Sequence, residues 1–97
     1  MEELRFEWDD KKNTINMQKH GISFEEAKTV FYDPDALLIP DPDHSIVEER
    51  FLILGVDSEA DILIVSHCYR ESDEVIRIIS AREATRNEAK QYYASKR

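Results

Sequence analysis

The chain has 97 residues, of which 41 % are hydrophobic and 35 % are charged, and its formal net charge is −8 at pH 7. This length predicts a single domain over residues 1–97 with an ordinary globular balance of residues. The negative charge argues against a protein that binds nucleic acid over its whole surface, because such proteins are usually basic. An enzyme needs only a local cluster of cations, so the placement of the 13 Lys and Arg residues matters more.

Cysteine usage and hydropathy predict the compartment. Cys68 is the only cysteine, which excludes an internal disulfide and fits a reducing environment. Residues 1–5 have no basic region followed by an apolar run, so no signal peptide is predicted. No apolar stretch approaches the roughly 20 residues that span a bilayer. We therefore expect a cytoplasmic protein with no membrane partner.

The N-terminal part predicts a strand and two helices. Alternating apolar residues at positions 4–8 predict a short, half-buried strand. A polar helix is predicted from Asp10 to about His20, with Asp9 as its N-cap and Gly21 as its stop. A capping box at residues 23–26 predicts a second helix that runs to about residue 32.

The rest of the chain predicts four strands and a final helix. Strands are predicted over residues 36–39, 50–56, 62–70 and 75–80, with loops at 40–44, 57–61 and 71–74. Two capping-box spacings, at 80–83 and 85–88, predict a last helix from near Ala81 or slightly later toward Lys96. We therefore predict an α+β fold: a mostly antiparallel sheet with two N-terminal helices and one C-terminal helix.

Strand parity predicts a cluster of arginines on one face of this sheet. If the two hairpin loops set the register, Cys68 lies opposite both Arg50 and Arg77. Because side chains alternate faces, Arg50, Arg70 and Arg77 then share one face near one end of the sheet. The guanidinium group offers a rigid fork of donors that matches phosphate.

The same register makes two further predictions. Ser66 is expected opposite Ile79, and the apolar face is expected to hold the helices; that face carries Phe51, Ile53, Leu63, Val65, Tyr69, Ile76 and Ile78. The alternative reading of the arginines is that they are solvated and paired with Glu48 and Asp43.

An ordered set of short motifs covers nearly the whole chain. It includes Phe-Glu-Trp-Asp at residues 6–9, Lys-His-Gly at 19–21 and Ile-Ser-Ala-Arg at 79–82. The set also contains Lys12, Asn16, Ile22, Phe24, Ala27, residues 30–33, Glu49, Arg50, Gly55, Arg70, Arg77, Ile78, Glu88 and Tyr92. In these residues the chain resembles the BrnT family of type II toxins, which share the RelE-like fold.

The resemblance implies a ribonuclease that acts on free RNA without a metal ion or other cofactor. It also implies a cognate antitoxin protein with a DNA-binding fold, which would neutralise the toxin and repress the shared operon. Contact with DNA is therefore expected only through that complex. The active site of the family lies on an exposed sheet face, which agrees with the predicted arginine cluster.

Metal-free cleavage of RNA requires a base, an acid and cations that stabilise the phosphorane. Arg50, Arg70 and Arg77 are the candidates for holding the phosphate. His20 is the candidate acid or base, because imidazole titrates near neutral pH, although it is also placed to cap a helix. Glu48 or Glu49 is the other candidate base, with a salt bridge to an arginine as the alternative.

Four further residues are candidates for contacts with RNA. Lys12 and Lys19 could bind the backbone from the first helix, unless they are simply solvated. Arg82 could support the phosphate site or pair with Glu88, and Tyr92 could stack on a base or belong to the core.

No metal site is predicted. His67 and Cys68 are adjacent on a strand and point to opposite faces, so they do not ligate one ion. The alternative function is a binding module without catalysis, which serves as an antitoxin-binding corepressor.

Overall fold

The structure is a computed structural model that describes residues 3–96. Residues 1, 2 and 97 lie outside the described part. Both ends of the domain predicted over residues 1–97 fall there, as does the start of residues 1–5, for which no signal peptide is predicted. None of the helices in residues 3–96 combines the length and apolar character needed to cross a bilayer.

Residues 3–96 form five strands and three helices. In chain order they are β1 (Arg5–Glu7), α1 (Asp10–His20), α2 (Phe24–Ala27), β2 (Leu37–Pro40), β3 (Phe51–Val56), β4 (Ile62–Arg70), β5 (Val75–Glu83) and α3 (Arg86–Ser95). Two 3₁₀ segments, Lys28–Tyr32 and Pro42–His44, follow α2 and β2. The sheet has the order β1-β5-β4-β3-β2.

The α+β class is confirmed, whereas the details of the sheet and of the helices are only partly right. β2 to β5 pair antiparallel, but β1 pairs parallel to β5, so the sheet is mixed. Short loops predicted the antiparallel meander, and no short loop joins β1 to its neighbour. Its direction therefore depends on the crossover through the helices, which local patterns do not reveal.

The first helix forms as predicted because its caps are local. Asp9 Oδ1 accepts hydrogen bonds from the amides of Lys11 and Lys12 at 2.8 and 3.1 Å. Gly21 adopts a left-handed φ of 72° and donates its N–H to the carbonyl of Met17. These contacts fix both ends of α1, which is why the sequence located them correctly.

The second predicted helix is α-helical for only four residues and then tightens into the 3₁₀ segment. Ser23 Oγ accepts the amide of Glu26 at 3.0 Å, as the capping box predicts. The Thr29 hydroxyl donates to the carbonyl of Glu26 at 2.6 Å, and this bond competes with the backbone bond of a regular α-helix. The prediction of two full N-terminal helices is therefore corrected.

Helices cover both faces of the sheet, contrary to the prediction that one face holds them all. The larger core lies under α1 and α2 and comprises Ile22, Phe24, Ala27, Val30, Ile53, Leu63, Val65, Ile76, Ile78 and Ala81. A smaller core of Leu54, Ile64 and Tyr92 lies on the other face, under α3. Phe6 and Trp8 pack against the larger core, which explains the apolar alternation of the first strand.

The last strand is longer than predicted. β5 continues to Glu83, which pairs with Leu63 of β4, so the capping-box spacing at 80–83 does not begin a helix. Ladder bonds to a neighbouring strand outweigh a local cap here. The second spacing forms a complete capping box, in which the Thr85 hydroxyl accepts the Glu88 amide and the Glu88 carboxylate accepts the Thr85 amide.

Gly55 is predicted to tolerate no larger side chain. A Cβ at this position would lie 2.9 Å from both Ala36 Cβ and Asp33 Oδ2. Asp33 Oδ2 also accepts hydrogen bonds from Val56 N at 2.9 Å and Tyr92 Oη at 2.6 Å, so it cannot move freely. We expect Gly55→Ala to lower the free energy of unfolding by about 1–3 kcal/mol in urea titrations. An unchanged midpoint would show that the strand relaxes without cost.

Candidate active site

The three predicted arginines do lie on one face of the sheet. Cys68 pairs with Arg77 and Arg70 pairs with Val75, as the parity argument predicts. The β3–β4 ladder ends where Phe51 pairs with His67, and Arg50 lies one residue before it. Continuing the strand alternation by that one residue places Arg50 on the face of Cys68. We call Arg50, Arg70 and Arg77, together with Cys68 between them, the arginine face.

A β-bulge corrects one part of the predicted register. The β4–β5 ladder shifts between Ser66 and His67, so Ser66 pairs with Ser80 rather than with Ile79. A bulge inserts one unpaired residue and bends the strand. The shift lies beyond Arg77, and the arginine face is therefore preserved.

Two of the arginines form ion pairs with carboxylates. Arg70 Nη2 lies 3.1 Å from Glu48 Oε2, and Arg77 Nη1 lies 2.7 Å from Glu7 Oε2. The bond to Glu7 is the main cause that raises the pKa of Arg77. Glu48 was predicted as an arginine partner, whereas Glu7 was missed because it reaches Arg77 through the parallel β1–β5 pair.

Cys68 is buried on this face, and Arg50 is half-buried. Arg50 Nε is buried and has no hydrogen-bond partner among residues 3–96. A buried donor left unpaired costs about 1–3 kcal/mol. Cys68 is 1 % exposed, and burial together with the charge of Glu48 raises the pKa of its thiol. The face therefore offers guanidinium groups and no reactive thiolate.

The candidates on the first helix gather in a second place. Lys12, Lys19 and His20 line a shallow groove along β5 at Ile79 and Ser80. β1 pairs only with Val75–Arg77, which leaves the rest of this edge of β5 to α1. The side chain of Asn16 fixes α1 there, since it donates to Ala81 O at 2.9 Å and accepts from Ala81 N at 3.1 Å.

Ser80 connects the two groups of candidate residues. It lines the groove of α1, and its pairing with Ser66 places it on the same sheet face as Cys68 and Arg77. An extended polyanion that crosses the edge of β5 at the bulge would therefore meet Arg77 on one side and the lysines on the other.

Glu49 does not join the arginine face. It lines a groove with Leu38, Phe51 and Tyr69, whose strand parity is opposite to that of Arg50. Glu48 lies at the arginines instead, through its contact with Arg70. Glu48 also lines that groove, and of the two carboxylates considered as the base it is the one that contacts Arg70.

Arg82 and Tyr92 both have hydrogen-bond partners within the protein. Arg82 makes a bidentate pair with Glu88 at 2.8 and 3.0 Å, which lowers the pKa of Glu88 to about 2. Tyr92 is 1 % exposed, and its hydroxyl donates to Asp33 Oδ2 at 2.6 Å. A ring buried in this way is not available to stack on a base, so the prediction that Tyr92 binds RNA is corrected.

His67 is also part of the interior. It is fully buried between Phe31, Phe51 and Tyr69, and burial lowers its pKa. Its ring lies on the face under α1 and α2, opposite to the side chain of Cys68. The two residues therefore face apart, as their adjacency on a strand predicts.

The comparisons with known proteins agree with this geometry. The model of the family described as ribonuclease toxin, BrnT, of type II toxin–antitoxin system matches residues 8–88. The chain belongs to the BrnT family. A crystal structure of the ribonuclease toxin BrnT from Brucella abortus has the same fold, with a TM-score of 0.67. It is 22 % identical, and the match covers 87 % of this chain and 100 % of that one. None of the curated proteins has a matching sequence.

Membership in the BrnT family confirms the resemblance that the motifs indicate. It identifies the chain as a ribonuclease toxin of a type II toxin–antitoxin system, and a toxin of this type has an antitoxin partner. The matched range begins at Trp8 and ends at Glu88, so it contains α1, the bulge of β5 and all three arginines.

Proposed function

We propose that this toxin is an endoribonuclease that cleaves RNA at the arginine face by attack of a 2′-hydroxyl group, without a metal ion. The observation that carries the proposal is the convergence of Arg50, Arg70 and Arg77 on one sheet face of an acidic protein. Fixed guanidinium groups stabilise the charge that grows on phosphate in the transition state. They supply this without a bound cation.

The ion pairs suggest how RNA enters the site. The side chains of Arg70 and Glu48 are 45 % and 32 % exposed, and those of Arg77 and Glu7 are 30 % and 40 % exposed. Pairs this exposed contribute only about 0–1 kcal/mol, so a phosphate can take the place of the carboxylates at little cost.

The chemical step requires two proton transfers. The 2′-oxygen forms a bond to phosphorus while the bond from phosphorus to the 5′-oxygen breaks, which leaves a 2′,3′-cyclic phosphate and a 5′-hydroxyl. Glu48, released from Arg70, is our candidate to take the 2′-hydroxyl proton. His20 is our candidate to protonate the departing 5′-oxygen, because it lies at the groove that continues the site past Ser80.

Lys12 and Lys19 would hold the RNA backbone on the far side of the bulge. Both are exposed on α1, in the same groove as His20. The cognate antitoxin would be a DNA-binding protein in the cytoplasm, and it would cover this surface while the complex represses the operon. Contact of the toxin itself with DNA would occur only within that complex.

A second function, that of a non-catalytic corepressor, is favoured by two observations. The net charge of −8 and the carboxylates paired with Arg70 and Arg77 both oppose the approach of free RNA. An acidic toxin also attracts a basic antitoxin segment. In this alternative the arginines would bind acceptors of the antitoxin instead of a scissile phosphate.

Cleavage of end-labelled RNA by the purified, antitoxin-free protein in excess EDTA tests the proposal. We expect products whose 3′ ends carry a cyclic phosphate. If the folded protein cleaves none of several RNAs, yet still binds its antitoxin, the corepressor function stands and the endoribonuclease proposal fails. Cleavage that disappears in EDTA while circular dichroism shows the protein still folded, and that returns with a divalent cation, would contradict the metal-free mechanism.

A further inference from the structure

A cluster of carboxylates lies where the β3–β4 hairpin contacts α2. Glu26, Asp57 and Asp61 each offer a carboxylate oxygen, and these oxygens all lie within 4.8 Å of one another. Glu59 adds a fourth negative charge, which acts on Glu26. Negative charges held this close repel one another unless a positive charge or a proton neutralises them.

One oxygen of this cluster is buried and has no partner. Asp57 is 5 % exposed, and its Oδ1 accepts the amides of Glu59 and Asp61, both at 2.9 Å. Its Oδ2 is buried without a hydrogen-bond partner among residues 3–96, and the Asp57 carboxylate lies beside that of Glu26. A buried carboxylate oxygen that accepts nothing is expensive, so its position indicates a bound group.

At low pH, the simplest way to neutralise this cluster is a proton shared between Glu26 and Asp57. The contact with Asp57, followed by burial and the charges of Glu59 and Asp61, raises the pKa of Glu26 to about 7. Because the pKa of Glu26 is raised in the folded state, its protonated carboxyl group stabilises the fold fully below pH 4.5, the ordinary pKa. This stabilisation is lost as the pH rises through about 7.

We propose that Glu26, Asp57 and Asp61 bind a hard divalent cation, Ca²⁺ or Mg²⁺, that fastens the hairpin to α2. The donor set is carboxylate oxygen only, which suits these ions and not zinc or copper. The cradle is already ordered, since Thr29 Oγ1 accepts the amide of Ser58 at 2.9 Å. Water would complete the coordination.

This site is separate from the candidate active site. The hairpin lies at the start of β4 and Arg70 at its end, nine residues along the strand and therefore about 26 Å apart. The cation is thus inferred to stabilise the fold and to take no part in RNA cleavage. The inference does not depend on the proposed function, and its test measures unfolding.

Thermal unfolding at a pH above 8 tests the site, first in EDTA and then with about 10 mM CaCl₂ or MgCl₂. For a dissociation constant on the order of 10⁻³ M, we expect one of the cations to raise the midpoint by about 6–11 °C. If neither cation raises the midpoint, the proposal is overturned.

Two substitutions in α2 distinguish the site from general screening of charge. In Glu26→Gln the amide can donate to Asp57 Oδ2, so we expect a higher midpoint in EDTA and no response to the cation. Glu25→Gln removes the same charge from the exposed neighbouring residue and should keep the full response. Equal responses in wild type and Glu26→Gln would overturn the proposal, because they would show screening alone.

Discussion

Replacement of Arg77 by Ala is expected to reduce the single-turnover rate of RNA cleavage by about 10²–10³-fold, the usual effect of removing one fixed donor from a transition-state anion. Arg77 lies on β5 between Glu7 and Cys68, at the bulge side of the arginine face. Its ion pair with Glu7 is partly exposed, so its loss should cost less than about 1 kcal/mol of stability. The effect should therefore be on the rate and not on the folded fraction.

Arg86→Ala is the matched control for this variant. Arg86 is the exposed first residue of α3, and its removal changes the net charge by the same amount. We expect Arg86→Ala to cleave at nearly the wild-type rate, while Arg77→Lys should recover only part of the loss because ammonium lacks the fork of donors. Equal rates for Arg77→Ala and Arg86→Ala would move the active site away from β5.

Replacement of Tyr92 by Ala is expected to cost about 3–5 kcal/mol in the free energy of unfolding, the usual cost for a buried aromatic residue. The whole stability of a domain this size is about 5–15 kcal/mol. Tyr92 is the central residue of the core under α3, next to Leu54 and Ile64. Urea titration followed by circular dichroism should show a large loss of stability or an unfolded chain.

Two related variants separate the ring from its hydroxyl group. Tyr92→Phe loses the bond to Asp33, and a hydrogen bond to a charged group contributes about 1.5–3 kcal/mol. Hydrogen bonds from Tyr92 and from two amides lower the pKa of Asp33 although burial opposes them, so this carboxylate is a charged acceptor. Tyr93→Ala, at a ring that is 59 % exposed, should change stability by less than about 0.5 kcal/mol. A folded Tyr92→Ala that has lost affinity for RNA, beside a Tyr92→Phe that retains it, would restore the stacking role.

Local signals predicted the parts of the fold that local contacts determine. The ends of α1 follow from Asp9 and Gly21, whose contacts reach no further than four residues. The start of α3 was ambiguous between two capping boxes, and only the pairing of β5 with β4 decides it in favour of Thr85. The same pairing contains the bulge at Ile79, and no glycine, proline or other turn residue in the sequence predicts it.

Contacts between distant parts of the chain account for what the sequence could not predict. The placement of α3 on the arginine side of the sheet depends on the burial of Tyr92, and the sequence only offered core as an alternative for it. Glu7 reaches Arg77 through a parallel pairing that no hairpin specifies. The register of Arg70 and Arg77, in contrast, follows from a short loop and was predicted correctly.

Cleavage of an RNA that carries one 2′-deoxy nucleotide at an established cleavage position tests the central claim most directly. The wild-type protein is assayed in excess EDTA beside the same RNA with all its hydroxyl groups. If the 2′-oxygen is the nucleophile, cleavage disappears at the modified position and continues at every other one. Continued cleavage at the deoxy position would show that water attacks the phosphate, and it would contradict the mechanism proposed for the arginine face.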